Sequence, residues 1–357
     1  MSPAIEFRPA DPLGIQRVLE PAGSLPQQAS SVDASLPLAE DELLIEVESL
    51  NIDSASFRQI SEACAGDVPR IEEHIRELVR KRGKHHNPVT GSGGMLIGRV
   101  AQIGPRFPVD SKPVRVGDRI ASMVSLSLTP LSIRKIRRIH PAIDRVDIEG
   151  HAILFASGIF AQLPTDLPET VALAVLDVAG APAQTRKLVQ PGQTVVVIGG
   201  GGKSGVLCLH EAKRKSGVTT VAIEYSNEGV ERLKALSFVD HIIQADARDS
   251  VGVMEKVRAV TDGKMADLVI NVANVPGTEM SSVLACRNGG IVYFFSMATS
   301  FTRATLGAEG VGADVDLRMG NGYTAGHAEL SLQILRDSPE LMKLFTETYA
   351  APFTAHA

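Results

Sequence analysis

The sequence predicts an α/β protein in which a small antiparallel β-barrel domain precedes a doubly wound parallel-sheet domain. Three observations carry this expectation. From about residue 165, the apolar runs TVVVI, TVAIE, HIIQA, ADLVINV, GIVYFFS and VDLRM alternate with stretches of helical length. That rhythm implies βαβ units and a parallel sheet. The first of these strands breaks into glycines, TVVVIGGGGKSG (194–205), and then opens a helical run, KSGVLCLHEAKRK. Before residue 165, LIGRVAQIG and VGDRIASMVS instead read as neighbouring strands of an antiparallel barrel. The expected division is 1–165 and 166–357, and 357 residues suffice for two cores.

The elements follow in order. Residues 1–40 read as loop-rich, with Pro9, Pro12, Pro21, Pro26 and Pro37. ELLIEVESLNID (42–53) reads as a strand. DVPRIEEHIRELVRKRG (67–83) reads as a helix that Asp67 caps, Pro69 opens and Gly83 ends. Its stripe of Ile71, Ile75, Leu78 and Val79 suits packing. The cationic run Arg80–His86 suits a solvated helix end, where the dipole favours positive charge. Residues 111–150 continue with short strands, and SIRKIRRIH reads as a solvated basic face. LPETVALAVLDVAGAPAQTRKLV is a helical entry to the second domain. AELSLQILRDSPELMKLFTETY is a helical tail.

Composition bounds the function. A net charge of −5 argues against general nucleic-acid binding. No apolar stretch reaches membrane-spanning length, and the first 25 residues lack the apolar core of a signal peptide. Cys64, Cys208 and Cys286 form neither a disulfide framework nor a metal pattern, so a cytoplasmic location and no metal are expected.

The glycine-rich stretch carries the most chemistry. Gly200, Gly202 and Gly205 satisfy G-x-G-x-x-G, and Gly199, Gly202 and Gly205 satisfy G-x-x-G-x-x-G. Such glycines let backbone approach a pyrophosphate at a helix N-terminus. A Walker loop would need its first glycine where Val197 stands, so that pattern fails. The next strand ends in Glu224, where a carboxylate would hold ribose hydroxyls and repel a 2′-phosphate, which favours NAD. The candidate cofactor contacts are Gly199, Gly200, Gly201, Gly202, Lys203, Ser204 and Gly205, with Glu224. Lys203 either faces the phosphates or is simply solvated. Asn271, Val272 and Asn274 are expected near adenine and ribose, and Ser296 and Met297 near the nicotinamide ribose.

VGDRI, LPETVALAVL, VQPGQTVVVIGGGGKSG, ADLVINVANVPGT and NGGIVYFFS resemble, in order, the medium-chain dehydrogenase/reductase superfamily. The resemblance implies a GroES-like barrel domain, a Rossmann domain and a cleft between them for nicotinamide and substrate. It also implies a homodimer or homotetramer. The regions where zinc members carry ligands are LNIDSASF, SGGMLIG and VLDVAGAP, with Met95 and Val178 about where ligands would stand, so no zinc is expected. ESLNIDSASF, GKHHNPVTGSGGMLIG, VDIEGHAILF, LAVLDVAGAPAQ, LGAEGVG and GNGYTAGHA narrow the resemblance to the L-erythro-3,5-diaminohexanoate dehydrogenase family of anaerobic lysine fermentation. That family implies NAD-dependent loss of the 3-amino group as ammonia, leaving 5-amino-3-oxohexanoate. The alternatives are a zinc-free NADPH-dependent enone or quinone reductase, which Glu224 opposes, and a non-catalytic dinucleotide-binding protein.

A diamino acid substrate needs a base to take a proton from its ammonium and polar groups to hold its charged ends. His86 is the favoured base and Asn87 a positioning group, unless both occupy a surface turn. Asp53 and Ser54 come from the loop where zinc members carry their first ligand. They can bind an ammonium, orient a histidine or cap a turn. Asp177 lies in an apolar stretch and needs a partner, either the substrate ammonium or a structural Arg or Lys.

Overall fold

The computed structural model describes residues 7–88, 91 and 93–350. The chain divides into two compact units, Met1–Pro164 and Thr165–Ala357. The first contains β1 (Val18–Glu20), β2 (Ser31–Val32), β3 (Leu43–Asn51), α1 (Ser54–Ala63), α2 (Val68–Arg82), β4 (Met95–Ile103), β5 (Arg119–Ser122), β6 (Leu131–His140), β7 (Arg145–Leu154) and β8 (Phe160–Gln162). Six strands form one antiparallel sheet in the order β6-β7-β3-β4-β5-β8. In β3 the alternation of Leu43, Ile45 and Val47 buries one face, which packs with Phe57 and Ile60 of α1 and Ile71, Ile75 and Val79 of α2. The α2 helix has the anticipated signals: Asp67 accepts from the Arg70 amide at 2.9 Å, and Gly83 ends it.

One expectation for this unit is corrected. Residues 131–154 form two ten-residue strands rather than several short ones. The proline-rich N-terminal segment is anchored, because the buried Arg17 guanidinium meets both carboxylate oxygens of Glu42, at 2.8 and 2.6 Å. Its remaining N–H groups reach the carbonyls of Ser35 and Pro37, the satisfaction a buried charge requires.

The second unit contains α3 (Glu169–Leu176), α4 (Gly180–Leu188), β9 (Thr194–Ile198), α5 (Lys203–Lys213), β10 (Thr219–Glu224), α6 (Asn227–Lys234), β11 (His241–Gln244), α7 (Ser250–Val260), β12 (Ala266–Asn271), α8 (Glu279–Ala285), β13 (Cys286–Phe294), α9 (Phe301–Gly310), β14 (Val315–Met319), α10 (His327–Asp337) and α11 (Pro339–Tyr349). Its parallel sheet runs β11-β10-β9-β12-β13-β14. Val195–Ile198 of β9 are wholly buried at the centre. The strand order reverses between β9 and β12, so the loops after these two strands flank the crevice where such sheets bind ligands. Among the described residues no helix is long and apolar enough to cross a membrane.

Candidate active site

The loop after β9 is built by its neighbours. Gly199 has φ of +83°, in the left-handed region. The amides of Gly199 and Gly200 both donate to the Ile223 carbonyl of β10, at 2.9 and 3.0 Å. Gly202 then caps α5 without a side-chain bond. The N–H groups of a helix's first turn lack partners within the helix, and the dipole draws anions to that end. The glycines differ in what a Cβ would meet. At Gly205 it would stand 2.3 Å from the Gly199 carbonyl oxygen and 2.5 Å from that of Gly200. Glycine there lets helix and loop close together. At Gly202 the nearest atom would be the Gly199 oxygen at 3.5 Å, so the approach to α5 is open. A dinucleotide pyrophosphate fits this arrangement.

Glu224 ends β10 and turns its carboxylate to the same loop. Oε2 accepts from the Gly201 amide at 3.0 Å. Oε1 accepts from the amides of Tyr225 and Ser226 and from the Ser226 hydroxyl, each at 2.9 Å. Arg232 of α6 donates to the Gly201 carbonyl at 2.9 Å and pairs with Glu228.

In the first unit, α2 delivers Lys84, His85, His86 and Asn87 to the loop before β4. Lys84 is buried and donates to the Pro26 carbonyl at 2.8 Å. Burial, then the Arg82 charge, pushes its pKa down to about 8. His85 is buried, and among the described residues neither ring nitrogen has a hydrogen-bond partner. Burial pushes its pKa down to about 4. His86 is half-buried, and its buried Nδ1 also has no partner among the described residues. Burial, then the charges of Lys84 and Arg82, holds His86 below its ordinary 6.5. A neutral imidazole at such a site can accept a proton at neutral pH. Asn87 is buried and donates from Nδ2 to Gln59 Oε1 of α1 at 2.9 Å.

A family model described as the L-erythro-3,5-diaminohexanoate dehydrogenase N-terminal domain matches residues 16–164. An L-erythro-3,5-diaminohexanoate dehydrogenase of Acetoanaerobium sticklandii is 53% identical over 339 residues, 94% of this chain and 98% of that protein. One from Fusobacterium nucleatum is 51% identical over 338 residues, with the same shares. This chain belongs to the L-erythro-3,5-diaminohexanoate dehydrogenase family. It is therefore an oxidoreductase, and its fold implies a nicotinamide cofactor. An alcohol dehydrogenase structure from Thermotoga maritima matches with a TM-score of 0.55 at 14% identity, covering 87% of this chain and 86% of that one. A quinone oxidoreductase structure from Pseudomonas syringae matches at 0.52 and 17%, covering 89% and 84%. These likenesses show the fold, a GroES-like domain with a Rossmann domain.

Against this diaminohexanoate dehydrogenase family frame, several expected site residues change place. Asp53 and Ser54 do not sit in a loop; they begin α1. The Asp53 carboxylate accepts from the amides of Ala55 and Ser56, at 3.1 and 3.2 Å, so it acts as a helix cap. Ser54 donates to Asp144 at 2.5 Å. Asp177 is exposed at the C-terminus of α3, and its partner is Lys203 at 2.5 Å, so no substrate ammonium is needed there. The same solvent-exposed pair engages Lys203 Nζ. Ser204 is half-buried in the first turn of α5.

The Asn271 side chain is engaged by neighbouring residues. It is fully buried, donates to Thr278 Oγ1 and Ser282 Oγ at 2.9 and 2.8 Å, and accepts from the Ala273 amide. Its work is to shape the loop after β12. Val272 and Asn274 lie on that loop, half-buried and exposed respectively. Ser296 accepts from the Ala298 amide, and Met297 is 93% exposed beside it. Val89, Thr90 and Ser92 of the loop before β4 lie outside the described residues.

Sequence reasoning missed α1, and with it Gln59. Its signal was present: Asp53 as a cap, then Phe57 and Ile60 at helical spacing. It also missed Arg232, whose bond to Gly201 spans 31 residues. Among the described residues no group of three or more His, Cys, Asp or Glu side chains is placed to hold a metal ion.

Proposed function

We propose that this chain catalyses NAD-dependent oxidative deamination of L-erythro-3,5-diaminohexanoate to 5-amino-3-oxohexanoate and ammonia, a step of lysine fermentation, without catalytic zinc. The observation that carries this is the 53% identity to a dehydrogenase of that name over 98% of its length. Glu224 supports NAD over NADP, because a 2′-phosphate would meet its negative charge. Bound at the loop after β9, the nicotinamide cofactor supplies the hydride acceptor.

The chain's residues do the rest. Only a neutral amine can expel hydride from C3, so a proton must first leave the ammonium. His86 takes it, being neutral at physiological pH. Asn87, fixed by Gln59, positions a polar end of the substrate. Hydride loss leaves an iminium, which water hydrolyses to the ketone and ammonia. Three buried free cysteines suit a reducing cytoplasm. A homodimer or homotetramer is supported by the superfamily resemblance and by the exposed edge strand β14, with Met319 exposed on it and Phe301 and Leu306 exposed on the adjoining α9.

The test is chelator-treated protein given NAD and L-erythro-3,5-diaminohexanoate. NADH and ammonia should rise in equal amounts. Clear NAD binding with no turnover overturns the assignment.

A further inference from the structure

The cofactor preference resides in how Glu224 is fixed, and two residues without a cofactor role so far do the fixing. Of its two oxygens, Oε1 receives three donors, the amides of Tyr225 and Ser226 and the Ser226 hydroxyl, whereas Oε2 receives only the Gly201 amide. A carboxylate offers about four lone-pair sites in all. Oε1 is thus the anchored oxygen, and Oε2 keeps room for one more donor, such as a ribose hydroxyl. Ser226 is itself pinned, because its Oγ accepts from the Gly229 amide at 3.0 Å as the cap of α6. Gly229 forms the floor of this seat. A Cβ there would lie 2.6 Å from Glu224 Cδ, 2.7 Å from Cγ and 2.8 Å from Ser226 Oγ. It would also narrow the gap to Gly201, whose own added Cβ would stand 2.8 Å from Gly229 Cα.

We propose that Ser226 and Gly229 are specificity-determining residues that hold the Glu224 carboxylate immobile, so that it binds the ribose of NAD through Oε2 and cannot swing aside for a 2′-phosphate. This rests on the NAD assignment above and adds its structural cause. An acid tethered loosely could rotate away from a second anion, and selectivity would then be modest. An acid with three donors on one oxygen keeps its charge in place. The chemistry recognised is the vicinal diol of an adenosine ribose, and the chemistry refused is its 2′-phosphate ester.

The experiment is fluorescence titration of NADH and of NADPH with purified full-length protein, for the wild type and for Ser226→Ala, Ser226→Thr and Gly229→Ala. A hydrogen bond to a charged group is worth enough for about a tenfold change in affinity. The wild type should prefer NADH. Ser226→Ala should weaken NADH by about tenfold and leave NADPH unchanged or tighter. Ser226→Thr, which keeps the hydroxyl, should restore the preference. Gly229→Ala should act in the same direction where its melting temperature shows it folded, and Ser226→Ala stands alone where it does not. A wild type that binds both cofactors equally overturns the NAD assignment itself. A wild type that prefers NADH, with Ser226→Ala keeping the full preference, overturns the seat.

Discussion

The two candidate site loops of this protein are built in opposite ways. The glycine-rich loop after β9 is fixed almost wholly by backbone. Its amides pair with Ile223, Gly205 lies against it at distances only glycine permits, and Glu224 is tied to its amide at Gly201. The loop between α2 and β4 is fixed by side chains and burial. Asn87 hangs from Gln59, Lys84 from the Pro26 carbonyl, and His85 is buried with both ring nitrogens unpartnered among the described residues. The first arrangement suits a ligand whose phosphates and ribose are the same in every reaction. The second would serve the proton transfer proposed above, where the cost of burial is what tunes the group.

The largest expected effect breaks the backbone-built loop. Gly205→Ala places a Cβ against two carbonyl oxygens that cannot move independently. NADH binding should fall by more than about a hundredfold, with a lowered melting temperature. Gly202→Ala sharpens the distinction within the same loop. It should leave the melting temperature near wild type, because no protein atom outside the adjacent residues lies closer than 3.5 Å to its Cβ, while weakening NADH by about tenfold if the pyrophosphate approaches there as proposed. If both variants melt early, the division between a packing glycine and a ligand-facing glycine is wrong.

Next comes His86→Gln in the other loop. Turnover should fall by about a hundredfold or more, the usual contribution of a general base, with the NADH dissociation constant unchanged. The pH profile carries the same information with a sign. His86 titrates below its ordinary 6.5 because burial and the charges of Lys84 and Arg82 oppose protonation. As the proposed base, it would be neutral above that depressed value and be lost only as the pH falls through it. The acid limb of kcat/KM should therefore lie below pH 6.5 and vanish in the variant.

His85 tests burial without catalysis. Its folded pKa of about 4 lies below the ordinary 6.5. The unfolded chain binds the extra proton between those values, so stability rises with pH across that window and is lost as pH falls from 6.5 toward 4. The loss should reach about 3 kcal/mol at most. His85→Leu should flatten the dependence of the melting temperature on pH in this range, and an unaltered slope would assign the acid sensitivity elsewhere. The smallest effect belongs to Asp177→Asn. The Lys203 pair is solvent-exposed, so stability should change by no more than about 0.5 kcal/mol in chemical denaturation.

This contrast also explains what could be read from the amino-acid sequence. The second unit was legible strand by strand, because buried parallel strands write themselves as unbroken apolar runs and the glycine pattern marks the turn. Glu224 was legible for the same reason, being fixed by its place at a strand end. For Asn271 the residue type permits both a ligand contact and a buried loop brace, and the bonds to Thr278 and Ser282, seven and eleven residues on, are not visible in the sequence. For Asp177 the sequence leaves a substrate ammonium and a structural Arg or Lys as equal partners, and only the fold, which brings Lys203 to it on α5, shows which is present. In the first unit, His86 and Asn87 stood out by chemistry, yet Gln59, which accepts from Asn87, lies on α1, whose polar surface hid a helix behind the cap at Asp53.

The buried Lys84 has one more consequence. Its amine is sealed beneath the Pro26 carbonyl at 2.8 Å, in a segment that the Arg17–Glu42 pair clamps to the sheet. An acylating reagent reaches that nitrogen only when the segment lifts away. Timed labelling of this lysine, read by mass, therefore works as an internal clock for the opening of the N-terminal strap, running at the pace of local unfolding rather than of surface exposure.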